Sequence, residues 1–164
     1  MRAPRPVCTF ALGDLLFGVE AMRVVEVTRR HALAPMPLAP RAVRGLINLR
    51  GRILPAVDLR GCLGLDPIPA GEGPILVIRC SEGDFGLLVD EVRDVLMLDP
   101  SLIEPRPAHA RGSTAELVEG VCPLLDRLLL LLDVPRVLRV AFFESTAQPA
   151  GAGGASVSSR RDLP

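Results

Sequence analysis

The stretch from Val43 to Arg60, VRGLINLRGRILPAVDLR, returns in weakened form 75 residues later as LVEGVCPLLDRLLLLLDV, from Leu117 to Val134. Gly45 falls on Gly120, Arg52 on Arg127, and Val57-Asp58-Leu59 on Leu132-Asp133-Val134. A second echo, at an offset of 68, sets Phe17-Gly18-Val19 on Phe85-Gly86-Leu87, and Val24, Glu26 and Val27 on Val92, Asp94 and Val95. Two offsets in the same order, separated by a small insertion, argue for one supersecondary unit written twice. Two copies this apolar cannot each bury everything alone, so they are expected to pack on one another and leave a seam.

The 164 residues are enough for one medium domain, or two intimately packed halves, that buries roughly two-thirds of its unfolded surface. Charges balance at 19 against 19 with no long basic run, and Tyr and Trp are absent. Nucleic acid therefore has neither an electrostatic footprint nor a stacking platform to bind. All 19 basic residues are arginine, so the sequence offers neither Schiff-base chemistry nor a Walker-type phosphate loop. Cys8, Cys62, Cys80 and Cys122 form no C-x-x-C pair and read as small buried hydrophobes in a reducing compartment. The start, MRAPRPVC, lacks an apolar signal region, and the run Leu128 to Leu132 is too short to span a bilayer. A cytoplasmic protein without direct membrane insertion is expected.

Residues 7 to 27 read as strand, Gly13-Asp14 turn and strand, and residues 75 to 98 repeat the design around Glu82-Gly83-Asp84. Three prolines between Pro35 and Pro40 rule out a helix or central strand there. Residues 45 to 58 form an apolar hairpin about Arg50-Gly51, with Gly51 free to take positive φ. Asp58, Asp99 and Asp133 each precede a short segment as candidate helix N-caps. The leucine run is expected to be a fully buried strand of a second barrel. Pro67 to Pro74 marks the boundary between a first half of about 7–66 and a second of about 74–143. These lie in one domain over 7–146, flanked by a short extension over 1–6 and a small, Gly-rich tail over 147–164 that is expected to be disordered.

Catalytic machinery is hard to find. His31 and His109 sit in no metal-binding or triad spacing, and neither a nucleophile elbow nor G-x-G-x-x-G is present. Asp90, Glu91 and Asp94 are close in sequence but alternate across a strand, so they read as a solvated edge. No cofactor, no metal and no enzymatic activity are expected. A binding module is the better prior.

At GLINLRGRILPAVDLR, Gly45 to Arg60, the sequence resembles the CheW family of chemosensory coupling proteins, and the likeness runs from about Val7 to Phe143. It continues in FGV and V-x-EV between Phe17 and Val27, in GLLVDEVRDVL from Gly86 to Leu96, and in LVEG followed by DRLLLLLDVPRVL from Leu117 to Leu138. The resemblance implies a mainly β fold of two five-stranded barrel subdomains on a shared apolar core. It implies a non-catalytic adaptor between the cytoplasmic helical hairpin of a chemoreceptor and the regulatory domain of a CheA-type histidine kinase, within a higher-order array. Without kinase, phosphotransfer or receiver segments, the chain is expected to be a stand-alone coupler. Two alternatives stay open: a coupler-fold scaffold in a non-motility or receptor-independent pathway, and a small-ligand binder or enzyme with its site in the seam between barrels.

For the receptor, the expected residues are Val24, Glu26, Val27, Gly45, Asn48 and Arg50. Arg50 at its glycine-assisted turn should pair with Glu26 on a neighbouring strand, which would orient the guanidinium toward a partner carboxylate or amide. Asn48 should secure the turn backbone. Val24 and Val27, three apart on a strand, point to opposite faces, so at most one meets a receptor helix seated in the seam. Pro55, Ala56 and Val57 are assigned to the core. For the kinase, the expected contact is the strand carrying Phe85, Gly86, Leu87 and Val89, together with the turn before it.

Overall fold

A computed structural model of the protein describes residues 2–29, 32–66, 73–109 and 111–144. His31, the segment 67–72 and the tail over 147–164 lie outside the described residues. The chain runs through β1 (Arg5–Leu12), β2 (Leu15–Glu20), a 3-10 turn (Ala21–Arg23), β3 (Val24–Thr28), β4 (Val43–Leu49), β5 (Arg52–Asp58) and α1 (Leu59–Cys62). It then forms β6 (Ile75–Ile78), β7 (Phe85–Leu88), β8 (Glu91–Leu98), β9 (Glu104–Pro105), α2 (Ser113–Glu116), β10 (Val118–Pro123), β11 (Leu128–Leu132) and α3 (Val134–Arg139). A π-helical turn, Val140–Glu144, follows α3.

The fold is mainly β, in two subdomains of five principal strands each. One sheet has the order β8-β1-β2-β11-β10 with the two-residue β9 added at its edge, and the other the order β3-β6-β7-β5-β4. The halves of the duplication do not each make one sheet. Each sheet joins the opening hairpin of one copy to the last three long strands of the other. The 3-10 turn after β2 carries the chain out of the first sheet, and the β7–β8 connection brings it back. The leucine run therefore pairs in parallel with β2 of the first copy.

The two sheets correspond residue by residue. Gly18 sits opposite Leu131 in the parallel β2–β11 ladder, and Gly86 opposite Ala56 in the parallel β7–β5 ladder, as offsets of 68 and 75 require. The β4–β5 ladder shifts register between Val43 and Gly45, and the β10–β11 ladder shifts between Val118 and Gly120. A Cβ on Gly45 would lie 2.5 Å from the Ala34 carbonyl oxygen, and one on Gly120 3.0 Å from that of Glu104. Both glycines are there because backbone passes directly over them.

Three apolar clusters follow from this arrangement. One fills the first sheet's interior with Val7, Leu16, Leu129 and Leu131, and one fills the second's with Ile47, Leu54, Ala56 and Val77. The largest lies between the sheets and draws on Phe10, Phe17, Leu76, Phe85, Leu87 and Val137. Phe10 and Phe17 stack across the β1–β2 ladder with centroids 5.7 Å apart. Strands covered on both faces are near-continuous apolar runs, as β1, β2 and β6 are, whereas the edge strand β3 alternates. The leucine run is less uniform than its sequence: Leu129 is fully buried, Leu130 half-buried and Leu128 47 % exposed. All four cysteines are buried and free. Burial pushes the Cys62 thiol up to about 12.

The three anticipated caps form. Asp58 accepts from the Arg60 N–H, Asp99 from that of Ser101 and Asp133 from that of Arg136. Asp58 does more than cap: it is buried and pairs with Arg44 at 3.2 Å.

Candidate functional site

β4 and β5 are joined by Arg50-Gly51, with φ of +54° and +84°. Positive φ at both central residues is the type I′ geometry that matches strand twist. Glycine adopts it freely, while arginine does so at a cost in backbone strain. Asn48 offsets part of that cost, since its Oδ1 accepts the Gly51 N–H at 3.1 Å. Apart from glycines, only Leu38 and Arg50 have positive φ among the described residues. Strain of this kind at a charged, 82 % exposed side chain points to a role outside the fold.

Arg50 Nη1 reaches Glu26 Oε2 at 3.0 Å. Glu26 is expected on a strand neighbouring the turn, but β3 is a ladder neighbour of neither β4 nor β5. β3 and β4 are the two edges of the five-stranded sheet, and its curl brings them within ion-pair reach. With Arg50 so exposed, the pair contributes only ~0–1 kcal/mol to stability. It holds a guanidinium in place with donors left over.

A cleft opens beside this turn. Arg52 Nη2 pairs with Asp84 Oδ2 at 2.6 Å, and Asp84 is on the rim of a cavity of about 600 Å³. Its walls are Pro55 on β5, the β6–β7 turn with Glu82, and the α3 face with Leu138 and Arg139, continued by Phe142 and Phe143 on the π-helical turn. Hydrogen bonds from the Cys80 thiol and the Ser81 hydroxyl hold the Glu82 carboxyl below the usual range, with Arg139 adding to the effect. The cleft is thus apolar along its length and charged at its mouth. Pro55 is half-buried here and not in the core; its missing N–H is tolerated because the β7 ladder begins only at Ala56. Ala56 and Val57 are fully buried as expected.

The anticipated receptor residues divide into two groups. Glu26, Val27, Asn48 and Arg50 reach the surface, Val27 being 49 % exposed. Val24 packs against the shared core, and Gly45 is buried under the Ala34 backbone, so both serve packing. The kinase strand is a clear departure. Phe85, Gly86, Leu87 and Val89 are all buried, because β7 lies between β6 and β5 with both faces covered. Only the turn before it is exposed. Asp90 is likewise no solvated edge: it is half-buried and bound by Arg60 in a two-bond fork.

The cleft residues Leu138, Arg139, Phe142 and Phe143 are not among those expected from the sequence. One signal was available. Of five phenylalanines, three are fully buried, while the adjacent pair Phe142-Phe143 directly follows a short helical segment, and Phe143 is 76 % exposed.

Among the described residues no group of His, Cys, Asp and Glu could hold a metal, and no helix is long and apolar enough to cross a membrane.

Residues 6–142 match the model of the CheW-like domain. The chain is 35% identical over 134 residues to the chemotaxis protein CheW of Rhizobium meliloti (strain 1021), covering 81% of this chain and 86% of that protein. It is 42% identical over 136 residues to protein FrzA of Myxococcus xanthus, covering 80% and 84%. The crystal structure of the scaffolding protein TtCheW from Thermoanaerobacter tengcongensis superposes with a TM-score of 0.72 at 29% identity, covering 79% of this chain and 89% of that one. The shared two-sheet architecture and a domain match over nearly all of the described residues lead to one conclusion: the chain belongs to the CheW family of chemotaxis scaffold proteins.

Proposed function

We propose that the protein is a cytoplasmic, non-catalytic adaptor that couples the helical hairpin of a chemoreceptor to the regulatory domain of a CheA-type histidine kinase within a larger array. The Glu26–Arg50 pair on its strained turn carries this reading, beside a cleft whose apolar walls and charged mouth suit an amphipathic helix. Val27, Asn48, Arg50 and the cleft form the receptor side. The kinase side moves to the other sheet. There Leu125 takes the place of Arg50 and is fully exposed, with Val95, Met97 and Leu128 also exposed, giving an apolar surface suited to a second barrel.

Arg50→Ala should change stability by no more than ~0.5 kcal/mol, the usual range for surface substitutions. In a reconstituted receptor–kinase assay it should abolish receptor control while kinase binding survives. Arg50→Lys should restore only part of the control, because an ammonium lacks the planar two-donor fork. Glu26→Ala should behave like Arg50→Ala, with a less than additive double mutant. Leu125→Asp should do the reverse, weakening kinase binding and sparing receptor binding. Normal receptor control by the Arg50→Ala protein would sink the receptor assignment.

A further inference from the structure

The two ends of the space between the sheets are closed differently. At one end the β1–β2 turn, the β7–β8 crossover and α1 converge on the Asp90 carboxylate. Arg60 Nε donates to Oδ1 at 3.1 Å and Nη2 to Oδ2 at 2.6 Å, and the Gly13 N–H donates to Oδ2 at 2.7 Å. The Asp90 N–H in turn donates to the Ala11 carbonyl at 3.1 Å. One carboxylate thus ties the first sheet's opening hairpin, the second sheet's closing helix and the connection between sheets. Applying the repeat offsets to Gly13, Asp90 and Arg60 gives Ser81, Met22 and Pro135. Methionine and proline cannot build a charged fork. Met22 is 86% exposed and Pro135 lines the cleft. The equivalent end has no carboxylate fork: among the described residues, the crossover there meets the opposing hairpin only through the Arg79 N–H donating to the Arg23 carbonyl at 2.7 Å and Arg23 Nη1 donating to the Arg79 carbonyl at 3.5 Å.

We infer that Asp90 and Arg60 are positioning residues, a latch that holds the two barrels in a fixed relative orientation so that the receptor side and the kinase side stay in register. The inference rests on the adaptor reading. The fork is a charge-assisted two-bond pair, partly shielded with side chains 24% and 30% exposed, the setting in which such pairs contribute most geometric definition. The Arg60 hydrogen bonds hold the Asp90 carboxyl below its usual range, and the Asp90 bond raises the guanidinium in return, so both groups stay charged. Neither residue contacts the cleft or the Arg50 turn, so removing the latch leaves both docking surfaces in place.

The test is the inter-barrel distance. Spin labels at Ile53→Cys on β5 and Met97→Cys on β8, both 63% exposed, report it by pulsed electron resonance, while the four buried native cysteines remain unlabelled. Wild type should give a narrow distribution. Asp90→Asn and Arg60→Gln should each broaden it, and the double mutant should be no broader than either. Both mutants should bind isolated receptor fragment and kinase regulatory domain as wild type does, while receptor control of the kinase falls about tenfold or more, the scale of ordinary coupling free energies. A distribution left narrow by both substitutions overturns the latch whatever the kinase does. Broadening with intact kinase control overturns its positioning role, and so does loss of cooperative unfolding in both mutants. Binding is measured on unlabelled protein; if unlabelled wild type binds neither partner while the widths still change, the latch stands and the adaptor reading fails.

Discussion

The two sheets solve their interiors alike and their surfaces differently. Inside, Gly18 and Gly86 are equivalents that make room for their neighbours: a Cβ on Gly18 would lie 2.6 Å from Val7 Cγ1, and one on Gly86 2.5 Å from Ile47 Cδ1. Outside, the turn at Arg50-Gly51 is left-handed and charged, while its equivalent at Leu125-Asp126 has no positive φ and presents a bare leucine. Packing constrains an interior to near-solid density, so two copies of one unit keep the same answer there. Nothing internal constrains an exposed turn, and there the copies can diverge to meet different partners.

The most damaging way to break the shared interior is a charge at Leu129, which is fully buried against Leu16 and Leu131. Leu129→Asp should abolish cooperative folding, since an unpaired buried carboxylate costs several kcal/mol, comparable to the stability of a whole domain. Its neighbour Leu130, half-buried at the shared core, should tolerate the same change better. Urea titrations of both proteins check the order. Equal damage would mean that the two faces of β11 are buried alike.

The next test asks whether the two interiors are truly equivalent. Gly18→Val and Gly86→Val each drive a branched side chain into occupied space and should cost about 1–3 kcal/mol, the usual range for overpacking. Gly51→Ala, with nothing within 4 Å of its Cβ but a φ of +84°, should cost about 1–2 kcal/mol from backbone strain alone. A mild Gly86→Val beside an unfolding Gly18→Val would show that one barrel has slack that the other lacks.

What could be read from the sequence was local or repeated. The Arg50-Gly51 turn, the caps at Asp58, Asp99 and Asp133, and the Asn48 bond follow from residues within four positions of one another. The Glu26–Arg50 pair came from assigning a long side chain to a turn, and the structure has it, although through sheet curl and not strand pairing. The exchange of hairpins between copies was not legible, because the β1–β2 hairpin has the same internal pattern whichever partner strands it joins. That exchange decides the rest. It puts β7 in the middle of a sheet, which removes the expected kinase strand from the surface, and it brings Gly13, Arg60 and Asp90 together from three distant segments.

The smallest expected effect sharpens the comparison at the ion pairs. The buried Asp58 faces Arg44, whereas the equivalent positions carry Asp133 and Glu119, two acids. Burial, helped by Asp133 and opposed by Arg5 and Arg23, raises the Glu119 carboxyl above its usual range. An acid whose folded pKa is raised adds stability that is present below the unfolded pKa and lost as pH climbs through the folded one. Asp90 behaves oppositely: its pKa is depressed, so its contribution is complete above the ordinary carboxylate range and is lost as pH falls through the folded value. Glu119→Gln should therefore raise the melting temperature slightly at neutral pH, with the gain vanishing in acid, because the glutamine resembles the protonated acid. The gain is small since Glu119, although partly covered, still reaches solvent, which screens its charge. Asp90→Asn should lower the melting temperature at neutral pH, with the difference likewise closing in acid. Melting curves of the three proteins between neutral and acid pH decide the matter. A loss at neutral pH in Glu119→Gln would mean that attraction to Arg5 and Arg23 outweighs burial, so that this corner holds a hidden ion pair and the two barrels are more alike than their residues suggest.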